Sequence, residues 1–266
     1  MCDGCGEHSH EHKHEHEHAH DHGHEHGHAH AGARPATRIQ VDRAVGGLLN
    51  ANLRVAARIR AELAQRGILM LNLTSAPGSG KTALLHATLR RLPEGSAAVL
   101  VGDLETDRDA ARLHGMGAQV RQINTGKGCH LSAAQVAGAL DQLELDGLRT
   151  VFVENVGNMA CPSDYDLGEH LRVALLSLPE GDDKVAKYPG LFAAADVVLL
   201  TKVDLAHVLP FDEGLLRQDL AQLNTRAPLL KVAALGGQGM DAWMQWLDSV
   251  RERALAGQLS MTQGKV

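Results

Sequence analysis

The chain has 266 residues, 44% of them hydrophobic, enough to bury one substantial α/β core. Its net charge of −6 averages two unlike parts: residues 1–30 hold seven acids and one base, and the rest carries 25 charges of each sign. A neutral body argues against nucleic acid as the main partner, and no apolar run approaches the roughly 20 residues needed to span a bilayer.

The N-terminus shows no apolar signal region, so the expectation is a cytoplasmic protein without membrane insertion. Of the four cysteines, two lie within the first five residues and two far along the body. That spacing suits metal ligands or inert thiols better than a disulfide framework.

The tail, residues 1–33, opens with Cys2 and Cys5. It continues with His8, His10, His12, His14, His16, His18, His20, His22, His24, His26, His28 and His30, spaced by Glu, Ala, Asp and Gly. The period of two matches a strand, but no apolar face accompanies it, so the segment is expected to be disordered. Neutral imidazoles at this density bind Ni²⁺, Zn²⁺ and related ions, with carboxylates adding attraction for cations. Incidental binding by a solvated low-complexity tail fits the same composition. Cys2-x-x-Cys5 fits a tighter mixed S and N site, a redox pair or half a zinc site.

Residues 34–266 read as one domain. Val45, Leu48, Leu49, Leu53, Val55, Ile59 and Leu63 fall at helical spacing and Gly67 ends the segment, which predicts a helix over 41–65 packed beside the first strand. The apolar run 68–74 then leads into Ser75-Ala76-Pro77-Gly78-Ser79-Gly80-Lys81-Thr82 and a helix-like stretch from Ala83. Strand, glycine-rich loop and helix are the setting of a phosphate-binding loop. Gly78, Ser79 and Gly80 let backbone N–H groups turn toward phosphates, Lys81 brings positive charge, and the Thr82 hydroxyl suits Mg²⁺. Ser75 stands where the usual pattern begins with Gly.

Further strands are expected at 97–101, 119–123, 150–153, 171–176, 196–200 and 229–232, with helices at 132–145 and 240–255. Continuous apolar runs alternating with helices predict an α/β fold, a mostly parallel sheet covered on both faces. In such a sheet ligands gather at the carboxyl ends of strands, where the polar residues of this chain collect.

Thr201-Lys202-Val203-Asp204 sits where a guanine-reading loop belongs, although the commoner form begins with Asn. The Asp204 carboxylate can accept from guanine N1–H and the 2-amino group, Lys202 can pack its stem against the base, and Ala234 can offer its N–H to O6. Thr82, Asp103 and Glu154 are candidate Mg²⁺ ligands. Asp107 and Asp109 lie on the loop expected to respond to the γ-phosphate. With Lys81, Asp103 and Glu154 they form the candidate catalytic set, although Glu154 fits a helix cap or a solvated carboxylate as well. Cys129, His130 and Cys161 follow strands and can converge; thiolate plus imidazole suits Zn²⁺ or Ni²⁺. Two buried thiols and a capping histidine fit the spacing equally well.

The runs Gly-Asp-Leu-Glu-Thr-Asp-Arg-Asp from Gly102, Asn-Thr-Gly-Lys-Gly-Cys-His-Leu from Asn124, Glu-Asn-Val-Gly-Asn from Glu154 and Cys-Pro-Ser-Asp-Tyr-Asp-Leu-Gly-Glu from Cys161, together with the phosphate loop, closely resemble the HypB family over about residues 38–255. These are hydrogenase maturation GTPases that support nickel insertion. The resemblance implies a SIMIBI-like P-loop GTPase and a GTP-dependent homodimer with a metal site at the dimer face. It also implies a HypA-type accessory protein and the hydrogenase large subunit as partners. Carried over by motif, Cys129, His130 and Cys161 become the ligands of the domain metal. Some members begin with Cys-x-x-Cys-Gly-Cys; here Glu7 replaces the third Cys, and His8 or the N-terminal amine is left to substitute. A urease-type nickel GTPase, a P-loop kinase and a plain metal buffer are the rival readings.

Overall fold

The central strands are buried at nearly every position, so they need cover on both sides, and the chain supplies it. The computed structural model describes residues 38–103, 113, 115–126, 128–161 and 165–255. Seven strands, β1 (Leu69–Thr74), β2 (Ala97–Asp103), β3 (Gln119–Asn124), β4 (Thr150–Glu154), β5 (Leu171–Ser177), β6 (Val197–Thr201) and β7 (Leu229–Val232), form one sheet in the order β3-β2-β4-β1-β5-β6-β7. Every pairing in it is parallel. The expected sheet is therefore present, and parallel throughout.

Alternate residues of β1 feed opposite cores. Leu69, Leu71 and Leu73 pack with Phe152, Val99 and Val173 under α2 (Lys81–Leu89) and the C-terminal helix Met240–Leu255. Met70 packs with Leu100, Val151 and Val153 under α1 (Arg38–Gln65) and α3 (Ala133–Leu140). A third cluster places Val185, Phe192, Leu216 and Leu220 against Ala174, Leu176, Val198 and Leu200. These come from the short helices α4 (Lys184–Lys187) and α5 (Pro189–Ala193) and from α6 (Glu213–Leu223), so the C-terminal helix is α7. Each fully buried large side chain contributes about 1.5–3 kcal/mol relative to exposure. The indole of buried Trp243 on α7 donates to Thr88 Oγ1 of α2 at 2.9 Å, which satisfies its polar edge inside the core.

Three local outcomes differ from the sequence reading. From Gly46 onward, α1 is buried through Ala56, Ile59 and Leu63, whereas Leu48, Leu49 and Leu53 are exposed. The helix expected to reach Leu145 ends at Leu140. Its last turn tightens through Gln142 and Leu143 N–H bonds to the carbonyls three residues back, and β3 side chains take over the backbone beyond. Gln119 Nε2 donates to Glu144 O at 2.7 Å and Arg121 Nε to Gln142 O at 3.2 Å. Helix α6, unforeseen, starts at Asp212, whose carboxylate accepts from Leu215 N at 3.0 Å.

The sheet reverses direction of assembly at β1, which lies between β4 and β5. Loops leaving the carboxyl ends of these three strands diverge around a crevice, the place where open α/β sheets bind ligands. The phosphate loop leaves β1 there.

Candidate nucleotide and metal site

The phosphate loop turns on two glycines in the left-handed region, Gly78 (φ 74°) and Gly80 (φ 100°). Gly80 also caps α2 without any side-chain hydrogen bond, so the first N–H groups of the helix are left for an anion. Lys81 is buried, and its ammonium donates to Ser75 Oγ at 3.0 Å. Ser75 thus has a role its departure from the glycine pattern did not suggest: its hydroxyl holds the lysine against the loop. The Ser79 hydroxyl hydrogen-bonds to the Glu180 carboxylate, whose other oxygen accepts from Ser177 N at 3.2 Å. The Ser-Leu-Pro-Glu run over 177–180 is a capping-box signature readable in the sequence. That it would brace the phosphate loop was not.

Thr82 Oγ1 donates to Glu154 Oε1 at 2.6 Å. Glu154 ends β4 and is 5% exposed, so it is neither a solvated carboxylate nor a helix cap. The donor set fits Mg²⁺: hydroxyl and carboxylate oxygens, together and at the sheet edge. Asp103 ends β2 at the same edge. Asp107 and Asp109 lie outside the described residues, as do the histidine tail and its two cysteines.

Thr201, at the end of β6, is buried and donates to Ser79 O of the phosphate loop at 2.6 Å. Lys202 follows with φ 58°, and Asp204 is exposed in the turn 203–207. Beyond β7, Ala233 N donates to Gln238 O at 2.9 Å and closes a small loop carrying Ala234 and the 95% exposed Leu235. Between this loop and α2 opens a cleft of about 850 Å³, lined by Thr82, Ala83, His86, Arg90, Ala234 and Leu235 among others. It is roomy enough for a nucleoside.

The thiol and imidazole candidates come together in part. Cys129 Sγ lies 3.5 Å from His130 Nδ1. A hydrogen bond between the Cys129 and Cys161 thiols is the main cause that pushes the Cys129 pKa up. Cys129 is exposed and Cys161 half-buried. The three side chains are neighbours, yet among the described residues no three His, Cys, Asp or Glu groups are arranged to hold one metal ion. The His130 ring is stacked on Tyr165, centroids 3.7 Å apart and planes 17° apart. Tyr165 was not singled out in the sequence, where nothing marks a lone tyrosine as a partner for a ring 35 positions away.

The segment joining β4 to β5 carries Cys161 and packs directly on the nucleotide loop. A Cβ added to Gly157 would lie 3.0 Å from Pro77 Cα, so the two loops touch backbone to backbone. A buried polar chain runs beneath. Asn155 Nδ2 donates to Asn72 Oδ1 at 3.1 Å, Asn72 Nδ2 to Glu169 Oε1 at 3.5 Å, and Arg172 Nε to the same oxygen at 2.7 Å. Arg60 of α1 donates to Glu169 O at 2.8 Å and pairs with Asp166. That guanidinium, with the Gly168 N–H, holds the Asp166 carboxyl below its usual range against the opposing effect of burial.

Residues 69–231 match the family model of the CobW/HypB/UreG nucleotide-binding domain. The hydrogenase maturation factor HypB of Escherichia coli (strain K12) is 48% identical over 183 residues, 68% of this chain and 63% of the relative. The chain thus spans slightly less than two thirds of that protein. The hydrogenase/urease maturation factor HypB of Helicobacter pylori is 40% identical over 182 residues, 67% of this chain and 75% of the relative. Among solved structures, HypB from Helicobacter pylori in complex with nickel superposes with a TM-score of 0.75 at 36% identity, covering 80% of this chain and 99% of that one. The hydrogenase maturation factor HypB from Archaeoglobus fulgidus gives a TM-score of 0.71 at 34% identity, covering 76% and 100%. On sequence and fold together, the chain belongs to the HypB family of P-loop proteins.

Proposed function

We propose that this protein is a GTP-hydrolysing nickel metallochaperone of the cytoplasm that assists nickel insertion into the large subunit of a [NiFe]-hydrogenase. One observation carries the reading. The segment bearing Cys161 begins at Glu154, which bonds the phosphate-loop threonine, and packs Gly157 against Pro77 of that loop. Whatever moves the nucleotide loops therefore moves a sulfur ligand.

In this reading phosphates lie on the 78–82 amides and Lys81, and the purine occupies the cleft between α2 and the Ala234 loop. Asp204 and Ala234 read guanine. Thr82, Glu154 and Asp103 hold Mg²⁺, which when bound neutralises phosphate charge. Asp107 and Asp109 orient the attacking water. No arginine finger is evident in the sequence, so turnover is slow without a partner. Cys129, His130 and Cys161 take Ni²⁺ or Zn²⁺ as cargo once the His130 ring and the thiols adjust, and the exposed Cys129 permits a shared site in a homodimer. A HypA-type protein is the expected accessory partner, and the histidine tail stores or delivers nickel.

The deciding experiment is nickel and zinc titration of the chain lacking residues 1–33, with GDP and with a non-hydrolysable GTP analogue, reading oligomeric state alongside. The reading requires metal bound by the tailless chain, lost in Cys161→Ala, with affinity that differs between nucleotides. If all metal leaves with the tail and Cys161→Ala changes nothing, a plain metal buffer with a GTP site is what remains.

The name of the Helicobacter pylori relative joins hydrogenase to urease. A urease client is therefore a second reading, tested by whether the purified chain restores nickel to apo-urease.

A further inference from the structure

Helix α1 sets two polar residues, Asn52 and Arg60, on the face that buries Ala56, Ile59 and Leu63. Both reach the stretch that follows Tyr165. Arg60 pairs with Asp166 and donates to Glu169 O. Between them a Cβ on Gly168 would lie 2.7 Å from Ala56 O, so helix and segment meet backbone to backbone. Asn52 also reaches a second loop. Its Nδ2 donates to Asp166 O at 2.7 Å, and its Oδ1 accepts from Ala133 N at 2.8 Å. Ala133 opens α3, three residues beyond His130. The capping box of that helix serves Ser132 N and Gln135 N but not Ala133 N, which Asn52 takes instead. The carboxamide fits one way round only. Turned over, it would set NH2 against an N–H and its oxygen against a carbonyl.

One side chain thus joins the loop that carries Cys129 and His130 to the segment that carries Cys161. The ring of contacts closes on the far side, where His130 stacks on Tyr165, the neighbour of Asp166. Resting on the metal-binding reading above, we propose that Asn52 is a positioning residue for that site. Its two hydrogen bonds hold the loops at the separation from which Cys129, His130 and Cys161 can share one ion. Both bonds go to backbone atoms, so the loops are held while the His130 ring and the thiols stay free to turn onto a metal. Without them the loops must be brought together as the metal binds, and affinity falls.

The test is nickel titration of the full chain bearing Cys2→Ser and Cys5→Ser, with free Ni²⁺ set by a chelator buffer. The signal is the thiolate-to-nickel charge-transfer absorption, which only Cys129 and Cys161 can then give. Asn52→Ala is expected to weaken this site about tenfold while GDP affinity stays within about twofold of the parent. Asn52→Asp separates a tie between loops from a simple helix cap. It keeps an acceptor for Ala133 N but sets a carboxylate oxygen against Asp166 O, and is expected to lose at least as much metal affinity as the alanine variant. Asn50→Ala, at an exposed position of the same helix, is expected to change neither affinity. Nickel affinity within about twofold of the parent in Asn52→Ala, or kept in Asn52→Asp alone, overturns the positioning role and leaves Asn52 a cap of α3. Loss of GDP binding together with nickel in both variants overturns it too, because the carboxamide then supports the whole domain. A parent chain without the thiolate band, or a band undiminished by Cys161→Ala, overturns the metal-binding reading itself and the role of Asn52 with it.

Discussion

The Thr82 hydroxyl donates to Glu154 Oε1 at 2.6 Å across 72 positions of sequence. β1 and β4 are adjacent strands with Leu73 registered against Glu154, so the loop leaving one and the last residue of the other share an edge. In the proposed function these two oxygens are ligands for a hard cation, and their hydrogen bond keeps the carboxylate in place. Glu154→Gln preserves shape and the acceptor but removes the charge. It is expected to leave GDP affinity without Mg²⁺ within about threefold, and to lower Mg²⁺-supported GTP hydrolysis by roughly 10²-fold. A magnesium titration of turnover checks this; an unchanged midpoint and rate would show that Glu154 is only a partner for Thr82.

The domain metal site and the tail should separate by acidity and by mutation. Imidazole ligands must be neutral, so nickel loading of the tail is expected to fall as pH drops through about 6.5. The tailless chain keeps its Cys129, His130 and Cys161 donors. Tyr165→Ala, which removes the ring stacked on His130, is expected to change metal affinity of the tailless chain without affecting the tail. Equilibrium dialysis at pH 7.5 and pH 5 measures both. Full-chain loading that is unchanged at pH 5 would exclude the imidazoles as the main ligands.

His170 sets a pH limit on stability. Burial, with Arg60 nearby, lowers its pKa to about 4, and its Nδ1 accepts from Met70 N at 3.0 Å, which requires the neutral ring. The unfolded chain binds this proton near pH 6.5, so between about 6.5 and 4 the unfolded state holds more protons. Stability from this group is therefore full above pH 6.5 and is lost as pH falls toward 4. The slope is up to about 1.4 kcal/mol per pH unit. His170→Asn should flatten that part of a denaturation profile taken from pH 7 to 4, and an unaltered profile would mean that other groups set the acid limit.

What the sequence revealed and what it withheld divide along physical lines. Apolar runs and glycine-rich loops report on backbone geometry, so the strands were legible to within one or two residues, and the phosphate loop and the sheet edge with them. Glu154, Cys129, His130 and Cys161 stood out because their chemistry is scarce and each ends or follows a strand. Side-chain pairs between distant loops leave no such trace. Nothing local tells that Ser75 holds Lys81, that Glu180 braces Ser79, that Tyr165 stacks on His130 or that Thr201 spends its proton on Ser79. The exposure of Leu48, Leu49 and Leu53 was hidden for a related reason: helical periodicity announces an apolar face without saying what covers it.

Gly157 offers the sharpest test of coupling between the two halves of the site. A methyl there would meet Pro77 Cα and Cγ at 3.0 Å and Pro77 N at 3.1 Å, in a phosphate loop with little freedom to yield. Gly157→Ala must therefore push the Cys161 segment away from the nucleotide loop or distort that loop. Overpacking of this kind costs about 1–3 kcal/mol. The expected result is several-fold weaker GDP binding and, in the tailless chain, a smaller difference in nickel affinity between nucleotide states. Gly138→Ala is the matched control: the site is exposed within α3 with nothing within 4 Å of the added carbon. It should stabilise the fold by up to about 1 kcal/mol and leave both affinities alone. If Gly157→Ala weakens GDP but the nucleotide dependence of nickel binding stays at its original size, then Cys161 does not follow the segment that feels the phosphates, and nucleotide and metal occupy one domain without informing each other.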